Sequence, residues 1–64
     1  MKLKDLKVGD KVLVKSNFGS GPAENGVVEN IDENIKNGME GTDYILDDGS
    51  VKWAYIEQII RKIS

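Results

Sequence analysis

DYILDDGSVKW, residues 43–53, sets two strand-like runs on either side of the strongest turn signal in the chain. Asp47-Asp48-Gly49-Ser50 holds no apolar residue, and an Asp-Gly pair favours the tight turns whose twist suits a β-hairpin. Tyr44-Ile45-Leu46 before it and Val51-Lys52-Trp53 after it are rich in the aromatic and branched residues that strands prefer. The stretch predicts a hairpin, with strands over residues 42–46 and 51–53.

Beyond Trp53, the run Ala54-Tyr55-Ile56-Glu57-Gln58 has no turn residues and fits a short 3-10 turn. Ile59-Ile60-Arg61-Lys62-Ile63 then reads as a last strand. Upstream, Val8-Gly9-Asp10 is a turn that launches Lys11-Val12-Leu13-Val14-Lys15 as the first strand. Alternation points Val12 and Val14 inward and Leu13 to the other face, under the segment carrying Leu3 and Leu6. The glycine-rich stretch over residues 16–26 reads as a long loop, and residues 27–31 as the second strand. Asparagines and glycines make residues 32–41 a long polar hairpin loop.

Five short strands in this order, with a long first loop, a DDG hairpin and a short turn before the last strand, carry a family resemblance. LKVGDKVLV (residues 6–14), DYILDDGSVKW (43–53) and AYIEQI (54–59) resemble the small SH3-like barrels, including Tudor-type and KOW-type domains. The resemblance spans nearly the whole chain and implies an all-β, five-stranded SH3-like barrel with a 3-10 turn before its last strand. Small barrels of this type are common in bacterial and phage genomes. These motifs specify a fold, and one fold hosts many functions.

Sixty-four residues make one domain, residues 1–64, with a thin core. With no cysteine and no histidine, the chain lacks thiolate ligands and the usual general base. Its serines have no histidine to activate them, so it is read as a non-enzyme needing no cofactor and no metal. Residues 32–38 echo a calcium loop, but Lys36 stands at its fifth position and Asp43 where its closing glutamate belongs. No apolar run approaches a membrane span, and MKLKDLKVGDK has no apolar signal core, so a cytoplasmic protein is expected.

Charge divides the chain into three. Residues 1–23 carry five lysines against Asp5 and Asp10, and residues 49–64 carry Lys52, Arg61 and Lys62 against Glu57. Between them, eight acids face Lys36 alone. Lys11, Lys15, Lys52, Arg61 and Lys62 are therefore candidates for a nucleic-acid surface, which KOW-type relatives would use. A pI near 4.9 opposes that reading. Edge lysines also keep exposed strands from pairing with other chains. The acidic middle is either a solvated surface or the mark of a small acidic inhibitor; a structural subunit that self-associates through an edge strand or an apolar patch is a further alternative.

The remaining candidates are aromatic. Asn17, Phe18 and Gly19 offer a phenylalanine on a flexible loop, and Trp53, Tyr55 and Tyr44 lie on strands that such a loop can reach. In Tudor-type relatives, aromatics at a barrel end hold a methylated cation by cation–π attraction. Core and rim packing is the plainer use of such residues. The reading taken is a non-enzymatic module that binds a protein partner through Asn17, Phe18, Gly19, Tyr44, Trp53 and Tyr55.

Overall fold

Val12 and Val14 have no exposed surface and alternate with residues that face outward, so β1 (Lys11–Lys15) follows its sequence pattern throughout. The computed structural model describes residues 1–63. Four further strands complete one antiparallel sheet: β2 (Ala23–Lys36), β3 (Met39–Ile45), β4 (Val51–Tyr55) and β5 (Ile59–Lys62). Their order is β4-β3-β2-β1-β5. Leu3–Asp5, Asn17–Gly19 and Ile56–Gln58 are 3-10 turns, and the described residues contain no α-helix. The sheet is not closed by backbone pairing, so β4 and β5 are its two edges. No described helix is long and apolar enough to cross a membrane.

Residues 27–31 lie within a much longer β2 than the sequence suggests. Its first half pairs with β1, from Lys15↔Ala23 to Lys11↔Val27, and its second half pairs with β3. The register shifts between Val28 and Asn30, where an extra residue bends the strand. The bend folds the sheet around Leu6, Val12, Val14, Val28, Tyr44, Ala54 and Ile59, with Ile31, Leu46 and Ile56 packed against them. Leu6 thus sits with Val12 and Val14, not over Leu13 as the alternation suggested. The Val8-Gly9-Asp10 turn docks on β2: Gly9 N–H donates to the Val28 carbonyl at 2.8 Å, and Val28 N–H to the Asp10 carbonyl at 2.9 Å.

The hairpin expected over residues 32–41 is present, but its loop is two residues long and the rest of the stretch is strand. Lys36 pairs with Met39 across Asn37 and Gly38, whose φ values are 56° and 75°. That pair of left-handed residues is what an Asn-Gly hairpin turn requires. Asn34 Oδ1 accepts from Gly38 N–H at 2.8 Å and supports the turn. The DDG hairpin is the wider of the two. Only Gly49 has a positive φ (86°); its N–H donates to the Leu46 carbonyl, and Leu46 N–H to the Ser50 carbonyl, each at 2.9 Å. This is a three-residue loop ending in a left-handed glycine. Asp48 Oδ1 accepts from Ser50 N–H and Oγ, which holds the Asp48 carboxyl below its ordinary range.

Gly41 of β3 is held by close approach. A Cβ there would run into the Ala54 carbonyl and the Ile35 side chain. At the far corner, buried Gln58 joins elements that the backbone leaves apart. Its Nε2 donates to the Lys15 carbonyl at 3.0 Å, and its Oε1 accepts from Tyr55 N–H at 2.9 Å. The end of β1 is thereby tied to the end of β4.

Candidate functional site

Ser16 closes the base of the loop after β1. It is buried; its N–H and Oγ both donate to the Pro22 carbonyl, and its own carbonyl accepts from Gly19 and Gly21. With its base fixed, the loop turns through three successive left-handed residues, Asn17 (φ 51°), Phe18 (φ 56°) and Gly19 (φ 92°). Left-handed backbone costs about 1–2 kcal/mol for a residue with a Cβ, and a bulky side chain there is uncommon. The result is a phenylalanine that is 69% exposed.

Phe18 stands beside two aromatics of β4. Trp53 and Tyr55 are two residues apart on one strand and so share a face. Because β4 runs through Tyr55 before the 3-10 turn begins, the alternation is unbroken between them. The Trp53 and Tyr55 ring centroids are 5.1 Å apart, edge to face. Phe18 lies 5.7 Å from Trp53, also edge on, and 6.3 Å from Tyr55. The β2–β3 hairpin supplies two more members. Lys36 Nζ lies 5.3 Å from the Trp53 ring centre, and Asn37 Nδ2 donates to the Tyr55 hydroxyl at 3.1 Å. Sequence reading missed both. The signal was the Asn37-Gly38 pair, which places the hairpin tip beside β4 once it is read as a tight turn.

Tyr44 is not part of this cluster. It is 1% exposed, and its ring packs where a Cβ on Gly26 would otherwise stand. Its hydroxyl donates to Glu24 Oε1 at 3.0 Å. Burial first, then that hydrogen bond and the Glu24 charge, push the Tyr44 phenol up to about 12. Tyr44 and buried Gln58 instead floor a groove of about 400 Å³. Ser16, Asn17 and Phe18 form one wall, and Val51, Lys52 and Trp53 of the edge strand form the other. The groove lies where the sheet fails to close.

The five candidate basic residues do not form one surface. Lys11 and Lys15 share the outward face of β1 with Leu13, and Leu13 pairs with Arg61 of β5. Lys52 is paired with Glu24 at 3.1 Å. Lys62 reaches Asp10 at 3.6 Å and donates to the Asp5 carbonyl at 3.1 Å. The acidic stretch is partly spent on local structure: Asp32 Oδ1 accepts from Asn34 N–H, and Asp43 Oδ2 from Asn30 Nδ2. No group of three or more acidic side chains among the described residues is placed to hold a metal ion.

Fold and site together define a small all-β protein with an aromatic groove beside a free sheet edge. No protein-family model, curated protein or solved structure matches the chain.

Proposed function

We propose that this chain is a non-enzymatic SH3-like module that binds a protein partner through the Phe18–Trp53–Tyr55 cluster and the groove beside it. The strand order, the bent β2 and the 3-10 turn before β5 support the SH3-like reading. The observation that carries the binding reading is how the aromatics are used. A domain of this length has little core to draw on, yet of its four aromatics only Tyr44 is in the core. Phe18 is held out in left-handed backbone, against the usual preference of a bulky residue. Aromatics gathered around a pocket are the side chains that anchor protein interfaces. Against the rival nucleic-acid surface stand the acidic pI and the placing of Lys52 and Lys62 beside Glu24 and Asp10.

The test is to select peptides from a random-sequence display library against the folded domain and map the bound peptide by amide chemical shifts. Shifts concentrated at Phe18, Trp53, Tyr55 and Lys36 are expected. Binding that maps to Lys11, Lys15 and Arg61, or the failure of any peptide to enrich, contradicts the proposal.

A further inference from the structure

The register of the β3–β4 ladder decides which backbone groups of β4 are already used. Leu46 N–H donates to the Ser50 carbonyl, so Leu46 and Ser50 are a hydrogen-bonded pair, and such pairs recur at every second position of an antiparallel ladder. By that alternation Tyr44 exchanges hydrogen bonds with Lys52, and Thr42 with Ala54. The amides and carbonyls of Val51, Trp53 and Tyr55 then point away from β3, off the edge of the sheet. Two contacts agree with this assignment. The Ala54 carbonyl lies against Gly41 of β3. The Tyr55 N–H, aimed outward, is taken by Gln58 Oε1. Among the described residues, no loop backbone and no side chain takes the N–H of Val51 or Trp53.

That unpaired edge is one wall of the aromatic groove, and the Phe18 loop is the other. We infer that the groove receives an extended peptide segment of the partner as an added strand, hydrogen-bonded to the backbone of Val51 and Trp53. This rests on the groove being the binding surface. An added strand alternates its side chains between two faces. One of its residues therefore meets the rings of Phe18 and Trp53, which calls for an apolar side chain. The Lys36 ammonium over Trp53 makes no ion pair among the described residues, which calls for a carboxylate nearby. The segment is thus an extended, mixed acidic and apolar peptide. A second copy of this chain fits less well. Setting Val51 of one β4 against Trp53 of another brings Lys52 opposite Lys52, and like charges directly opposed are destabilising.

The experiment uses the tightest peptide enriched from the random-sequence library, with amide hydrogen exchange of the whole domain and a peptide series N-methylated at one residue at a time. On binding, Val51 and Trp53 amides are expected to slow by at least about tenfold, as newly hydrogen-bonded groups do. N-methylation at alternate peptide residues is expected to weaken binding about tenfold, the scale of one lost backbone hydrogen bond. A peptide that binds at Phe18 and Trp53 without protecting either amide, and without alternation, overturns the added strand and leaves the groove as the binding surface. A peptide that binds elsewhere, or no enrichment, removes both readings. Protection of Val51 and Trp53 in the free domain, together with a dimer in sedimentation, makes a second copy the occupant and overturns the partner peptide.

Discussion

At the scale of single residues, Tyr44 and Phe18 show two aromatic side chains set to opposite uses. Tyr44 faces inward because its parity on β3 matches that of Thr42, and the bare backbone of Gly26 makes room for its ring. Its hydroxyl stays paired with Glu24, and the phenol is pushed up to about 12 from an ordinary 10.0. The native state therefore keeps a proton that the unfolded chain releases first. The stabilisation is complete below pH 10.0 and is lost as pH rises towards about 12. Denaturant unfolding across that window is expected to show stability falling for the native chain. Tyr44→Phe is expected to lose about 1 kcal/mol at neutral pH, one hydrogen bond's worth, and to flatten this alkaline decline. An undiminished decline in Tyr44→Phe assigns it to another group.

Among the elements, Gln58 does what the backbone does not. The 3-10 turn Ile56–Gln58 delivers a buried amide that bridges the Lys15 carbonyl and Tyr55 N–H, drawing the ends of β1 and β4 together around the groove. Gln58→Ala leaves both backbone groups without that partner, at about 1–3 kcal/mol for each one that stays buried and unpaired. Its thermal unfolding midpoint is expected to drop by several degrees or more, while Gln58→Glu keeps an acceptor for Tyr55 N–H and loses less. Equal loss in the two variants removes the bridge from the account.

How far these elements are legible in the sequence depends on where their signals lie. β1 is readable to the residue because Val12 and Val14 alternate between lysines and a glycine turn precedes them. The last hairpin is readable from its DDG, although that turn is one residue wider than an Asp-Gly pair suggests. β2 is not readable, since most of its second half is exposed and polar and its Asn-Gly turn lies among other asparagines and glycines. Half of the site followed from it. Phe18, Trp53 and Tyr55 can be proposed from aromatic type and parity, whereas Lys36 and Asn37 reach the rings only once Asn37-Gly38 is read as a tight turn and β2 is carried up to it. Tyr44, on the neighbouring β3 with inward parity, lines the groove from the core side and stays out of the ring cluster.

For the molecule as a whole, the bent sheet puts its apolar side chains in one concavity and leaves an opening between the end of β1 and the edge strand β4. Charge does not explain that opening, because Lys52 beside it is already paired with Glu24. The aromatics do, if they serve contact and not folding. The direct measurement is the affinity of Phe18→Ala for the library-selected peptide, on protein whose urea unfolding is followed in parallel. With Phe18 mostly in solvent, unfolding is expected within about 1 kcal/mol of the native chain, and affinity is expected to fall at least about tenfold, as at a binding hot spot. An unchanged affinity, or an unfolding loss of about 3 kcal/mol or more such as truncating a core aromatic brings, would contradict the account.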